Sequence, residues 1–194
     1  MDTFAEMAAK VEGMVTPRRW RHILGVMETA EELALRQNCS REGARVAALL
    51  HDCAKDLPKN TLLKLIEDSG IVLDEVEGEL YPLWHAPVGA VLARREFGVT
   101  DLDILAAIRY HTVGRAGMSL LEKIIYVADI IEPSRDWPGV DKLRSLVFAD
   151  FAAGCLKALD SAITFILQQG SLLHPGTVAA RNQLIREQRS AERR

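Results

Sequence analysis

The segment HDCAKD, residues 51–56, combines three kinds of ionisable side chain within six residues. The imidazole of His51 stands beside the carboxylate of Asp52, and Lys55 follows three residues later. The segment comes at the end of an apolar stretch that has the pattern of a helix. Because charged groups are costly to bury without partners, the segment is the first candidate for a functional site.

The histidines of the chain extend this candidate. Of five histidines, four occur on otherwise apolar stretches: His22, His51, His85 and His111. Asp129 follows Leu121 and Ile125 at helical spacing, so its carboxylate is also predicted to point inward and to need a cation or a charged partner. One such histidine alone is more often a hydrogen-bonded core residue. Together with Asp52 and Asp129, the four form a nitrogen and oxygen donor set that suits iron, manganese or zinc, and the lack of a cysteine ligand argues against structural zinc.

Helix start signals place these residues on helices. Thr16 followed by Pro17 predicts an N-cap and a first-turn proline for the helix RRWRHILGVMETAEELALRQN. Ser40 is predicted to cap REGARVAALLHDCAK, and Thr100 with Asp103 to open DLDILAAIRYH. Ser119 and Glu122 form the S-x-x-E pattern of a capping box before LLEKIIYVADIIE.

The rest of the chain is also helical in pattern. Helices are predicted near 61–68 and 87–97, one or two across 140–170, and another in the last segment, TVAARNQLIREQRSAERR. Strand alternation is almost absent, and neither a repeat nor a low-complexity linker marks a domain boundary. We therefore predict an all-α fold for residues 1–194 as a single domain, since 194 residues suit one substantial core.

Composition restricts the partners. The chain is 48% hydrophobic and 26% charged, with a net charge of −3, so nothing drives it as a whole toward nucleic acid or anionic membranes. Cys39, Cys53 and Cys155 lack CxxC spacing and are interpreted as packing residues in a reducing compartment. The N-terminus lacks a basic region, and no apolar run approaches the roughly 20 residues of a spanning helix. A soluble, cytoplasmic protein is expected.

Five segments carry a resemblance to a known family: RRWRHILGV, HDCAKD, WHAPVGA, RYHTVGRAGMS and KIIYVADIIEPSR. Their order resembles that in the HD-domain metal-dependent phosphohydrolases, in particular the bacterial YqeK-type branch of symmetrical diadenosine tetraphosphate hydrolases. The resemblance runs from about residue 16 to LLHPGTVAARN near the C-terminus. It implies a helical HD core over about 16–135, with C-terminal helices over about 140–190.

The resemblance also implies a role for each donor. His22, His51, Asp52 and Asp129 match the positions that bind the first metal ion. His85 and His111 match the two additional histidines of binuclear members, where Asp52 bridges both ions. Two transition-metal ions are therefore expected, with iron as the family metal and manganese or zinc as alternatives.

The reaction that the resemblance implies is hydrolysis of the central phosphoanhydride of diadenosine tetraphosphate, which gives two ADP. Asp52 and Lys55 are the catalytic candidates, and Lys55 can reach a phosphate oxygen or the attacking water. Further contacts to the polyphosphate are expected from Arg115, Arg135 and Arg181, although each is about as often a surface ion-pair residue. Thr112 and Gly114 could let the backbone approach a phosphate, or could only end their helix.

Several alternatives stay open at this stage. The same site could act on another nucleotide, such as an alarmone or a nucleoside di- or triphosphate. A helical nucleotide sensor without turnover is the non-enzymatic alternative. The fifth histidine, His174, receives no catalytic role, because Pro175 and Gly176 beside it also fit a helix start. A homodimer is compatible with the sequence but not indicated by it.

Overall fold

The computed structural model describes residues 3–193, and within that range its regular elements are all helical. The helices are α1 Phe4–Met14, α2 Pro17–Arg36, α3 Arg41–Leu50, α4 Lys59–Ser69, α5 Glu75–Glu79, a 3-10 helix Tyr81–Leu83, α6 His85–Arg95, α7 Leu102–Tyr110, α8 Leu120–Ile131, α9 Val140–Ala149, α10 Phe151–Gln168 and α11 Pro175–Glu192. The predicted all-α single-domain fold is confirmed.

Helices α2, α3, α7 and α8 form the centre of the fold. Helix α2 packs against α3 and α8, and α7 packs against α3, α6 and α8. Their inward faces carry fully buried aliphatic side chains such as Ile23, Leu49, Ile108 and Ile124. Burial of each such side chain contributes about 1.5–3 kcal/mol relative to its exposure. This packing brings the C-terminal ends of α3, α7 and α8 near the first turns of α2.

Three helix starts have the predicted caps. The side-chain oxygen of Thr16 accepts a hydrogen bond from the backbone of Arg19, with Pro17 in the first turn of α2. Ser40 caps α3 in the same way. The capping box of α8 is complete, because Ser119 and Glu122 each accept a hydrogen bond from the backbone of the other.

Two predicted helix boundaries were wrong. Helix α3 ends at Leu50, whereas the sequence analysis extended it to Lys55; residues 51–56 form successive tight turns, in which the N–H of Lys55 donates to the carbonyl of Asp52. Helix α7 is capped by Asp101 rather than opened by Thr100 and Asp103. The Asp101 carboxylate accepts hydrogen bonds from the backbone N–H groups of Asp103 and Ile104, which have no partner within the helix.

The segment over 140–170 contains two helices. Helix α9 ends at Ala149, and Asp150 caps α10 by accepting from the backbone of Ala153. Gly154 makes the close crossing of these helices feasible, because a Cβ atom there would lie 2.6 Å from the Cα of Val147. The predicted helices near 61–68 and 87–97 correspond to α4 and α6.

Helix α10 is apolar along its length and leaves most of its residues unburied, which its sequence pattern did not predict. By length and composition alone it is apolar enough to cross a membrane, and 22% of its 18-residue span is buried. A single helix of this kind is weak evidence for membrane insertion. The three cysteines are free thiols, with Cys53 and Cys155 buried and Cys39 partly buried.

Candidate metal centre and active site

Six side chains from five different helices or their ends meet at one place in the fold. They are His22 in α2, His51 and Asp52 directly after α3, His85 at the start of α6, His111 directly after α7 and Asp129 in the last turn of α8. All except Asp129 are buried, and Asp129 keeps 18% of its side chain exposed. These are the six ligands predicted from the sequence, and the structure brings them together.

Hydrogen bonds at the outer nitrogen orient all four imidazole rings. The Nδ1 atoms of His51, His85 and His111 lie 2.6, 2.8 and 2.8 Å from the backbone oxygens of Ala48, Pro82 and Ile108. The Nδ1 atom of His22 lies 2.9 Å from Oε1 of Glu132. Because these oxygens can only accept, each Nδ1 carries a hydrogen, and Nε2 is the ring nitrogen that points into the cluster.

The Nε2 atoms form two close pairs. His22 and His51 have their Nε2 atoms 3.3 Å apart, and those of His85 and His111 are 3.2 Å apart. Two imidazole lone pairs at this separation repel each other unless a proton or a cation lies between them. The donor arrangement therefore fits metal ions, which neutral imidazole Nε2 atoms commonly bind.

The Asp52 carboxylate lies between the two histidine pairs. Its Oδ1 atom is 3.2 Å from Nε2 of His85 and 3.4 Å from that of His111. Its Oδ2 atom is 3.7 Å from Nε2 of His22 and 3.6 Å from that of His51. On the His22 side, Asp129 adds a second carboxylate, with Oδ1 at 3.1 Å from the His22 nitrogen. Each oxygen of Asp52 thus faces a different pair.

Burial and charge set the protonation of these groups. Burial lowers the pKa of both His51 and His85 to about 4, so both rings are neutral at pH 7. Burial alone would also lower the pKa of His22, but hydrogen bonds to Asp129 and Glu132 outweigh it and raise that pKa. Burial opposes ionisation of Asp52 and Asp129, yet the surrounding imidazoles hold both pKa values well below their usual range. Two ionised carboxylates beside the neutral rings of His51 and His85 suit cation binding.

Two residues at this site were missed by the sequence analysis. Arg19 donates from Nη1 to Oδ2 of Asp52 over 2.6 Å. Glu132, almost fully buried, holds His22 and accepts from the backbone N–H and hydroxyl of Ser134. Each lies three residues from a predicted ligand, Arg19 before His22 and Glu132 after Asp129. Polar residues one helical turn from a ligand were the signal that could have identified them.

Gly25 makes room for Glu132. A Cβ atom at position 25 would lie 2.5 Å from Oε2 of Glu132 and 3.4 Å from the ring of Pro133. Burial raises the pKa of Glu132, but hydrogen bonds from Ser134 and His22 outweigh burial and lower it. Glu132 is therefore an ionised, immobilised acceptor for the His22 ring, in the arrangement of a carboxylate, a histidine and a metal ion.

Replacing Glu132 by alanine should lower metal affinity about 10–100-fold, because the His22 ring would lose the hydrogen bond that fixes its tautomer and orientation. Calorimetric titration of metal-free protein with Co²⁺ measures this change. Glu77→Gln is a matched control, since Glu77 is also buried but pairs with Arg109 outside the donor cluster. Equal affinities of Glu132→Ala and the unaltered protein would contradict the role assigned to Glu132.

The cations predicted to bind substrate fall into two groups. Lys55 and Arg135 lie at the donor cluster: Nζ of Lys55 is 3.2 Å from Nδ1 of His85, and Arg135 donates to both the carboxylate and the backbone oxygen of Asp129. Arg115 and Arg181 instead form ion pairs with carboxylates outside the cluster, Glu122 and Asp160 respectively.

The turn after His111 carries the two remaining candidates, Thr112 and Gly114. Thr112 is half-buried in this turn. Gly114 has φ of 66°, and its N–H donates to the carbonyl of Tyr110, so Gly114 takes part in ending α7.

His174 caps the C-terminal helix, and Thr177 attaches that helix to this turn. Nδ1 of His174 accepts from the N–H of Gly176, and the hydroxyl of Thr177 donates to the carbonyl of Val113. Nε2 of His174 lies near the Asp74 carboxylate, in a group with Glu77 that has the composition of a metal site. However, Nδ1 accepts a hydrogen bond from Gly176, so the ring hydrogen is on Nε2, which has no lone pair there for an ion.

Comparisons with known proteins agree with this geometry. The HD domain family matches residues 19–134. The chain is 43% identical to the symmetrical bis(5'-nucleosyl)-tetraphosphatase of Bacillus subtilis over 93% of this chain and 96% of that protein. It is 42% identical to the protein of the same name from Halalkalibacterium halodurans over 92% of this chain and 95% of that protein.

A solved structure gives the same fold. A protein from Clostridium acetobutylicum, described as a predicted HD superfamily hydrolase involved in NAD metabolism, superposes with a TM-score of 0.92. The two chains are 40% identical, and the match covers 96% of this chain and 99% of that one. Fold, donor cluster and sequence similarity lead to one conclusion: the chain belongs to the HD domain family of metal-dependent phosphohydrolases.

Proposed function

We propose that this protein hydrolyses diadenosine tetraphosphate at its central phosphoanhydride and releases two ADP. The observation that carries the proposal is the position of Asp52 between two histidine pairs, His22 with His51 and His85 with His111. Relatives at 42–43% identity named for symmetrical tetraphosphatase activity support the substrate. The similarity covers nearly the full length of both chains, which favours a shared reaction.

The donor set fits two metal ions per chain. His22, His51 and Asp129 would hold one ion, His85 and His111 the other, and Asp52 would contribute one oxygen to each. Iron is the metal we propose, because imidazole and carboxylate donors suit it and the resemblance implies it; manganese and zinc suit the same donors. Such a pair of ions acidifies water and stabilises the charge that develops on a displaced phosphate oxygen.

The protein's own cations complete the site. Burial lowers the pKa of Lys55, and its ammonium group next to His85 is placed to contact a phosphate oxygen or to orient water. Arg135 would contribute a second positive charge, beside Asp129. We also propose that Arg115, Arg181 and Thr112 contact the polyphosphate. The two arginines would first have to leave their ion pairs with Glu122 and Asp160.

The rest of the chain supports this site. We propose an HD core over about 16–135, with the helices of about 140–190 holding the turn after His111 in place through Thr177. Free, buried thiols support a reducing compartment such as the cytoplasm. No nucleic acid or membrane partner is needed for this function.

Purified without chelator, the protein should carry about two transition-metal ions per chain and convert diadenosine tetraphosphate to ADP. Six inward donors are too many for one ion with an open position. Elemental analysis measures the metal, and chromatography of a nucleotide panel identifies the products, with Asp52→Ala as the inactive control.

Loss of activity after dialysis against chelator, and its return with Fe²⁺ or Mn²⁺, are expected. Less than half an equivalent of metal together with chelator-insensitive turnover would contradict the metal assignment. If the protein cleaves another nucleotide and does not cleave diadenosine tetraphosphate, that nucleotide would be the substrate instead. Nucleotide binding without turnover would indicate a sensor.

A further inference from the structure

Arg19 holds the carboxylate that lies between the two histidine pairs. It lies on α2, three residues before His22, so both side chains project from the same face of the helix. Its Nη1 donates to Oδ2 of Asp52 over 2.6 Å, and both side chains are largely buried, with 25% and 4% exposed. The contact joins α2 to the turn after α3.

The importance of this contact depends on whether the neighbouring imidazoles can also donate hydrogen bonds to Asp52. An aspartate carboxylate rotates broadly about its last bond, so its two oxygens point in defined directions only if hydrogen bonds hold them. His85 and His111 use their Nδ1 hydrogens on backbone oxygens, and an Nε2 atom that binds a metal ion has no hydrogen to donate to Oδ1. With ions bound at those nitrogens, the hydrogen bond from Arg19 would remain to hold the Asp52 carboxylate in one orientation.

The second acid of the HDCAKD segment helps to place Arg19. Oδ2 of Asp56 accepts from both the backbone N–H and the hydroxyl of Thr16, at 2.8 Å each. Oδ1 of Asp56 lies 3.8 Å from Nε of Arg19, which is buried without a hydrogen-bond partner. The first turn of α2 is thus attached to the turn that carries Asp52, and the guanidinium lies between the two carboxylates.

We propose that Arg19 is a positioning residue that fixes the rotation of the Asp52 carboxylate, so that one oxygen faces His22 and His51 and the other faces His85 and His111. The inference rests on the metal assignment of the proposed function. It extends that assignment by naming the residue that lets one carboxylate serve both ions. Partners that hydrogen-bond a ligating carboxylate orient it for the metal.

Two accounts of Arg19 predict metal affinities that change in opposite directions. A positive charge 2.6 Å from a ligand oxygen repels cations, so a purely electrostatic role predicts tighter metal binding when the charge is removed. A positioning role predicts weaker binding, because the freed carboxylate no longer presents an oxygen to each pair. The sign of the change therefore distinguishes the two.

The test is a Co²⁺ titration of the metal-free full-length protein, followed by calorimetry and by the visible spectrum of the bound ion. We expect Arg19→Gln to weaken binding about 10–100-fold and to change the spectrum. Arg19→Lys keeps the charge but loses the rigid planar fork, so we expect it to bind more weakly than the unaltered protein and more tightly than Arg19→Gln. Arg18→Gln and Arg21→Gln are matched controls from exposed positions on the same helix, expected to bind as the unaltered protein does.

Circular dichroism and thermal melting show whether each variant is folded. If Arg19→Gln does not fold, Arg19→Lys decides alone, because affinity equal to that of the unaltered protein would show that only charge matters. Unchanged or tighter binding by folded Arg19→Gln would overturn the positioning role. Failure of the unaltered protein to bind Co²⁺ would instead reject the metal assignment itself and, with it, this inference.

Discussion

Replacing Asp52 by alanine should abolish turnover more completely than replacing His85 by alanine. Asp52 has one oxygen facing each of the two histidine pairs, whereas His85 belongs to only one pair. Loss of Asp52 would therefore remove a donor from both of the proposed metal positions. We expect kcat to fall by about 10³-fold or more for Asp52→Ala, which corresponds to several kcal/mol of lost transition-state stabilisation, and by about 10²-fold for His85→Ala.

Steady-state kinetics at saturating substrate measure both effects, alongside the metal content of each variant. Cys53→Ala is the matched control, because Cys53 follows Asp52 directly and is buried, and within residues 3–193 its thiol forms no hydrogen bond with any of the six donors. Its activity per folded molecule should stay near that of the unaltered protein. If His85→Ala proved the more damaging change with folding intact, Asp52 would not be the shared ligand.

Local signals predicted those parts of the fold that depend on a few neighbouring residues. The capping box of Ser119 and Glu122 and the start at Thr16 with Pro17 were correct, because these hydrogen bonds form within one turn of helix. The predicted end of α3 was wrong because the apolar pattern continues through Cys53 and Ala54, which are both buried. Their burial comes from tertiary packing of a turn, which helix periodicity does not distinguish from a helix.

The ligand set could be predicted, but the groups that orient it could not. Each ligand type is visible in the sequence, and the resemblance supplied its role. The partner of His22 is Glu132, which lies 110 residues further along the chain, and the partner of Asp52 is Arg19, 33 residues earlier. Spacing of one helical turn from His22 and Asp129 marks Arg19 and Glu132 as candidates, but their partners depend on how α2 packs against α8 and the end of α3, which no single-helix pattern contains.

The arginines show the same difference between motif and contact. Arg115 and Arg135 both lie within family-like segments, yet Arg135 contacts a predicted ligand and Arg115 pairs with Glu122. Hydrogen bonds to Glu122 raise the pKa of Arg115, which keeps this guanidinium charged and held. Position in a motif thus did not separate these two arginines, whereas the structure places Arg135 at the donor cluster and Arg115 in an ion pair outside it.

The position of the broken bond should distinguish this protein from other nucleotide hydrolases. If the metal centre lies beneath an inner phosphate, water attacks one of the two central phosphorus atoms, and ADP leaves from the other side. Hydrolysis in oxygen-18 water should then give ADP as nearly the only product. One ADP of each pair should carry the label on its terminal phosphate, because the departing half keeps the bridging oxygen.

Lys55→Ala and Arg135→Ala should raise KM or lower kcat without moving this cut. Under the proposed function both cations would position the polyphosphate, whereas the donor cluster would determine which phosphorus atom reacts. Mass spectrometry of the products from each variant measures the position of the label, and Lys142→Ala, at an exposed position on α9, controls for the loss of one positive charge. AMP and ATP as the main products of the unaltered protein would contradict attack at an inner phosphorus. A shift to those products in Lys55→Ala alone would instead show that this lysine, and not the metal centre, selects the bond.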